Sequence, residues 1–316
     1  MAFVEFMFSV RDFWVMFILC CSVMKTVTSH EFYDLKPVKL GCEVRGIDIG
    51  HPVPRRVTEQ IKKDVTEHRI LIFKDQHNIS PKRHVRISRW FGDLESSFFT
   101  QHPKSPLRDI YRVSNDKSEG LRAVGTAAFH TDCLYLPRLC SHAIYHMVNV
   151  SKEAETAFVP LSEILKGLTK KQRNRWERLW MIVQRTTRVV HPLIYSHPGS
   201  NEKVFFLPTA YTVAFEWDRG KSKTRRLTEP KETSQIRKEI YDVLTERLKD
   251  LQYIHKWEVG DFIISDNQAV AHWAPPSSQK PRRHIGLRVL HRVTVAGKEA
   301  PEKKYIPPSL KRKTEL

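Results

Sequence analysis

A chain of 316 residues with 41% hydrophobic and 28% charged residues has the composition of a folded globular protein. It is long enough for one large domain or two ordinary ones. Glycine is scarce at 12 residues, and neither GxGxxG nor GxxxxGK[ST] occurs, so the usual nucleotide-binding loops are excluded. The balance of 53 Lys+Arg against 35 Asp+Glu gives a formal charge of +18, which favours anionic ligands or surfaces. The basic runs Arg219–Arg226, Lys280–His284 and Lys303–Lys313 carry neither interleaved aromatics nor a recognisable reading helix, so no nucleic-acid partner is expected.

In chain order, Phe13–Met24 comes first, a nearly unbroken apolar run between Arg11 and Lys25. It is too short to span a bilayer, for which about 20 residues are needed. Residues 1–30 therefore read as a leader, with three alternatives open: a secretory signal, a membrane anchor, or a mis-started segment before an initiator at Met24. The location follows the same fork: cytoplasmic with Met24 as the start, secretory or membrane-associated if the leader acts as a signal. Residues 31–297 read as one domain, and residues 298–316 as a basic, flexible tail.

Within the domain, Leu35–Ile49 predicts short strands around a glycine turn, and Thr58–His68 a helix with Ile61 and Val65 on its apolar stripe. The apolar run Ile70–Phe73 predicts a buried strand. A helix is expected over Ser80–Phe91, opened by Ser80 as N-cap with Pro81 at the first turn. Strand-like alternation returns at 141–149. Helices are expected over Leu161–Arg178 and from about Lys231 to Asp250. Strands follow at Tyr253–Val259, Asp261–Ser265 and Ile285–Ala296. Strands at both ends with helices between them indicate an α+β or β-core architecture. Five scattered cysteines, with no CxxC pair, argue against a disulfide framework; Cys133 and Cys140 read as small buried hydrophobes.

Chemistry concentrates at Phe129-His130-Thr131-Asp132. On an extended chain, the i and i+2 side chains share one face, so His130 and Asp132 lie a few ångström apart. Such a pair is common by chance in a chain with 15 His, and it gains weight from its company. A distant His272, following the strand-like Asp261–Asn267, completes two imidazoles and a carboxylate, a set suited to Fe(II) with positions left open for O2 and a cosubstrate. Arg288 and Arg292 lie four apart on a predicted strand, so both guanidiniums aim at one face and can grip a carboxylate.

Several blocks in order give a family resemblance: Ile70–Gln76, Phe91-Gly92-Asp93-Leu94, His130-Thr131-Asp132, His191-Pro192-Leu193-Ile194 with His197-Pro198, Trp257–Asn267 leading to His272, and His291-Arg292. Over roughly residues 35–297 the chain resembles the taurine catabolism dioxygenases and their herbicide-degrading relatives. The resemblance implies a double-stranded β-helix (jelly-roll) core with inserted and flanking helices, and an Fe(II)- and 2-oxoglutarate-dependent dioxygenase. The substrate it implies is a small, anionic organic molecule, with O2 and 2-oxoglutarate as the other partners and a homo-oligomer as one assembly open to it. By position, His130, Asp132 and His272 match the metal ligands. Arg288 matches the arginine that binds the distal carboxylate of 2-oxoglutarate, Thr156 the threonine that assists it, and Arg292 the neighbouring arginine that faces the substrate. Three departures stand out. The family's Gly-Gly-Asp-Thr block reads Glu153-Ala154-Glu155-Thr156, and the stretch Pro275–Lys280 is lengthened. Where the taurine enzymes have a His and a Tyr for the sulfonate, this chain has Glu95–Thr100. Two other readings are a non-catalytic metal-binding jelly roll and a basic polyanion-binding protein.

Overall fold

The computed structural model describes residues 28–29, 31–97 and 100–303. The expectations for the apolar leader through Val27 and for the tail beyond Lys303 lie outside the described residues. Its amino-terminal part holds strands β1 (Thr28–Ser29), β2 (Asp34–Pro37) and β3 (Cys42–Arg45), helix α1 (Arg55–His68), β4 (Ile70–Phe73) and helix α2 (Pro81–Ser88). Then come β5 (Tyr111–Ser114), β6 (His142–Asn149), β7 (Glu155–Pro160) and helices α3 (Leu161–Lys166) and α4 (Lys170–Trp176). An inserted region follows with β8 (Leu179–Gln184), β9 (Arg188–Pro192), β10 (Ile194–Ser196), β11 (Lys203–Phe205), β12 (Thr212–Trp217), β13 (Arg226–Leu227) and the long helix α5 (Pro230–Leu251). The chain closes through β14 (Tyr253–Lys256), β15 (Phe262–Asp266), β16 (Val270–Trp273), the short helix α6 (Arg282–Ile285) and β17 (Val289–Val295).

Eight strands form the major sheet in the order β1-β2-β3-β4-β15-β6-β17-β5, and β14-β7-β16 form a minor sheet facing it. The run Ile70–Phe73 is buried at every position because both faces of this central strand are covered. Leu71 and Phe73 pack with Val57, Ile61 and Val65 of α1 and Ile87 of α2. Ile70 and Ile72 point the other way, into a layer shared with Tyr145, Ile263 and Leu290 of the major sheet and Phe158 and Val270 of the minor one. This second layer is the interior of a jelly roll, as the sequence resemblance implied. A third cluster, around Trp176, Phe205, Phe215 and Ile236, joins the inserted strands and α5 to Ala157, Val159 and Ala271 on the outer face of the minor sheet.

Four expectations need correction. The helix expected over Leu161–Arg178 is two helices, because Thr169 and Gln172 form a capping box that starts a new one after Gly167. The strand expected from Ile285 begins at Val289; residues 282–285 make a helical turn ended by Gly286 at φ 88°, a conformation that favours glycine. Cys133 and Cys140 are bonded to each other as a disulfide, with their Cα atoms 5.4 Å apart. Seven residues of sequence separation gave no hint of this, since only the turn at 132–135 folds the two together. Finally, the tail is not loose from residue 298: the Glu302 carbonyl accepts a 2.9 Å bond from the Ser196 amide, and Lys303 lies over the Trp180 ring.

On the helix-covered face of the major sheet, three buried histidines meet: His84 of α2, His146 of β6 and His291 of β17. His84 and His146 each direct Nε2 at a backbone carbonyl, of Ile144 and Gln76 respectively, while His291 Nε2 accepts from Arg112 at 2.9 Å. Burial pushes His84 well below the usual imidazole range, His146 down to about 4 and His291 down to about 3. The folded protein therefore holds all three neutral, whereas the unfolded chain protonates them below about pH 6.5. Stability is thus complete above that pH and falls as pH drops toward the folded values, by roughly 1.4 kcal/mol per pH unit for each histidine. Urea midpoints should decline between about pH 7 and pH 5, and His146→Gln should flatten the decline; a midpoint constant over that window would contradict the account.

Candidate active site

His130 and His272 are cross-strand partners. The His130 amide donates to the His272 carbonyl at 3.0 Å, and the His272 amide donates back at 2.9 Å. Directly opposed residues of an antiparallel pair point to the same face, and the two imidazole centroids are 4.4 Å apart. His272 is fixed in turn by β16, where it pairs with Phe158 of β7. Gly125 passes so close that a Cβ there would meet His130 Cε1 at 3.0 Å, and its φ of +70° suits glycine. His130 Nδ1 lies 2.9 Å from the Ala128 carbonyl, which makes it the protonated nitrogen and leaves Nε2 as a lone-pair donor.

Asp132 reaches the pair by a route different from the extended one expected. The chain is strand-like at His130 and turns through 132–135, with Cys133 at φ 65°. Asn267 holds that turn from both sides. Its Oδ1 accepts from the Asp132 amide at 2.8 Å, and its Nδ2 donates to the carbonyls of Asp132 at 3.2 Å and Cys140 at 2.7 Å. The Cys133–Cys140 disulfide closes the same loop. As a result, one donor atom from each of His130, Asp132 and His272 falls within 4.8 Å of the others.

The electrostatics suit a dication. Burial, then the neighbouring His130, pushes His272 down to about 3, so it is a neutral imidazole at physiological pH. Burial pushes the Asp132 carboxyl up, but Arg292, His272 and His130 outweigh it and hold the group below the ordinary carboxylate range. Asp132 Oδ2 and His272 Nε2 are both buried without a hydrogen-bond partner. Two imidazoles and one carboxylate with converging donor atoms are a set that could hold a non-heme Fe(II).

Arg288 and Arg292 share the interior face with Leu290, and both are buried, at 1% and 5% exposure. Arg292 Nη1 donates to Asp132 Oδ1 at 3.2 Å, and its guanidinium lies 4.9 Å from the Tyr111 ring centre. Among the described residues Arg288 has no such partner: Nε and Nη1 are buried with no acceptor. Burial pulls its pKa down to about 10, which leaves it cationic at neutral pH. A buried, unpaired guanidinium is costly unless an anion arrives to meet it. Thr156 sits on the same face of the minor sheet as His272 by strand register, and its Oγ1 accepts from Trp257 Nε1 at 2.9 Å.

Sequence reasoning missed the residues that hold this set in place. Asn115 Oδ1 accepts from the Arg288 amide at 2.9 Å, and its Nδ2 donates to the carbonyls of Lys280 and Gly286, which ties the lengthened rim to Arg288. Tyr145 pairs with Arg292 in register, and its ring is 5.8 Å from that of His272. No local spacing singles out these side chains. The block containing Asn267 was visible, but not the clamp it makes. His191 and His197 brace neighbouring segments of chain. His191 Nε2 lies 3.0 Å from the Leu134 carbonyl, and His197 Nε2 is 2.8 Å from Asp266.

A cavity of about 430 Å³ opens onto the ligand loop, its wall running from His130 and Asp132 through Phe129 and Leu134 to Tyr135 and Tyr211. A jelly roll with two histidines and an aspartate converging beside a buried arginine defines the class of 2-oxoglutarate-dependent, Fe(II) dioxygenases. The comparisons place the chain within that class. Residues 31–294 match the taurine catabolism dioxygenase TauD, TfdA family, and the chain belongs to it. Among relatives, an alkylsulfatase from Acinetobacter baylyi is 22% identical over 292 residues, covering 82% of this chain and 83% of its own. An α-ketoglutarate-dependent sulfate ester dioxygenase from Pseudomonas putida is 22% identical over 298 residues, covering 84% and 89%. The fold is that of a taurine dioxygenase from Burkholderia xenovorans, with a TM-score of 0.69 at 22% identity, covering 88% of this chain and 92% of that one.

Asn267 offers a test of how the ligand loop is held. Asn267→Ala leaves the ligands intact but removes three bonds from the Asp132 turn, and should weaken Fe(II) binding by about 10–100-fold. Metal titration by competition with a chromogenic chelator measures this; an unchanged affinity would mean the disulfide alone holds the loop.

Proposed function

We propose that the enzyme oxidises a C–H bond of a small organic anion, converting 2-oxoglutarate and O2 to succinate and CO2 as it hydroxylates the substrate. The observation that carries this reading is Arg288, a buried guanidinium four residues before Arg292, with two nitrogens that have no acceptor among the described residues. In this reading His130, Asp132 and His272 hold Fe(II). Arg288 binds the distal carboxylate of 2-oxoglutarate, and Thr156, already anchored by Trp257, offers its hydroxyl hydrogen to the same carboxylate. Arg292 fixes the Asp132 carboxylate in its ionised form and faces the reacting end. When bound, the metal and cosubstrate supply the oxidant: one oxygen of O2 enters succinate and the other the substrate carbon.

The protein's own part is positioning and exclusion. Phe129 and Leu134 wall the cavity with apolar surface, which keeps water from the oxidising centre. The anionic character of the substrate is supported by the sulfate-ester activities that the names of two relatives carry.

An anaerobic titration of 2-oxoglutarate into Fe(II)-loaded protein tests the reading without a known substrate. A weak, saturable visible charge-transfer band is expected. Asp132→Ala should abolish it, and Arg288→Ala should raise the half-saturation concentration at least ~30-fold, as loss of a buried charge partner does. Tightly bound iron with no band would instead indicate a metal site without dioxygenase turnover.

A further inference from the structure

The inserted sheet sends one hairpin back over the cavity. Its tip, residues 185–187 between β8 and β9, is held by a 2.9 Å bond from the Gln184 amide to the Tyr211 carbonyl. Arg185 stands on that tip with its guanidinium 4.3 Å from the Tyr135 ring centre and 5.7 Å from that of Tyr211. The two rings meet edge-on at 6.0 Å, and both line the cavity that holds His130 and Asp132. Planar stacking on aromatic faces holds a guanidinium in place while leaving its N–H edge available to a further partner.

Four arginines elsewhere in the inserted region, Arg178, Arg219, Arg225 and Arg226, have acidic partners in Asp218, Glu216 or Glu232, whereas Arg185 and its hairpin neighbour Arg188 have none among the described residues. At the inner end of the cavity Arg292 is already countered by Asp132. Arg185 also donates a side-chain hydrogen bond to Tyr135, and its field reaches inward to Tyr111, the ring beneath Arg292. Arg185 is thus held against Tyr135 and Tyr211 of the cavity wall, with no carboxylate partner among the described residues.

Building on the anionic-substrate reading above, we infer that Arg185, stacked on Tyr135 and Tyr211, is a specificity-determining residue that receives the anionic head of the substrate at the cavity mouth. The substrate class is then an amphipathic monoanion, a sulfate or carboxylate on an apolar body, with the body lying along Phe129 and Leu134 and its far carbons toward the metal ligands. Such a substrate is longer than a two-carbon sulfonate. Arg185 touches no reacting atom in this arrangement; its contribution is to binding and register.

The test uses full-length protein loaded with Fe(II) and 2-oxoglutarate under anaerobic conditions, with octyl sulfate, nonanoate and 1-octanol as probes. Binding is read as the perturbation of the visible band. The unaltered protein should bind one or both anions more tightly than octanol, and the sulfate and carboxylate arms show which head group it prefers. Arg185→Gln should raise the half-saturation of the preferred anion at least tenfold and leave octanol unchanged, with Arg185→Lys between the two. Equal anion affinity in Arg185→Gln would overturn the inference while leaving the anionic-substrate reading intact. Equal losses for anion and octanol would reduce Arg185 to a packing residue and overturn it as well. If neither anion perturbs the unaltered protein, the anionic-substrate reading falls and takes this inference with it.

Discussion

Two backbone hydrogen bonds between His130 and His272 join stretches of chain separated by the whole inserted region, and everything chemical about the structure depends on that pairing. Strand pairing fixes side-chain direction with a period of two, so a slip of one residue would send one imidazole to the opposite face. The pairing is in turn secured by β16 against β7 and by the close approach of Gly125. Asp132 adds the third ligand from a turn, where Asn267 and a disulfide replace the regularity that a strand would have given.

Charge placement follows from this frame. A buried carboxylate, Asp132, pairs with the buried Arg292, while Arg288, also buried, has no acceptor for Nε or Nη1 among the described residues. An unmatched Arg288 would be a liability in a protein that stayed empty, since its desolvation is repaid only by an incoming anion. The interior is therefore built to be completed by a dication and a dicarboxylate. The reverse face of the same sheet shows the opposite strategy. There His84, His146 and His291 are kept neutral by burial, so their cost appears only in acid.

The inserted region has a double role. Its apolar cluster braces the outer face of the minor sheet through Ala157, Val159 and Ala271. Its hairpin tip carries Arg185 and its β11–β12 loop carries Tyr211 to the cavity mouth. A scaffold fixed by sheet pairing thus holds the ligands, while a region free to vary in length and sequence shapes what can enter.

Local pattern determined a good deal by itself. Ile70–Phe73 declared a buried strand because an apolar run bounded by polar residues has few other uses, and Ser80-Pro81 declared a helix start that the structure reproduces with a Ser80 cap. His130, Asp132 and His272 could be singled out by residue type and by the blocks around them, and the structure brings their donor atoms within 4.8 Å of one another. Tertiary structure decided the rest. The disulfide, the Asn267 and Asn115 clamps and the Arg185 stack each join positions whose proximity no periodicity encodes. The break at Gly167 was locally encoded by Thr169 and Gln172, but an apolar stripe that continues through Leu168 concealed it. Periodicity reports which face of an element is apolar, whereas the partners of a polar side chain depend on how distant elements are brought together.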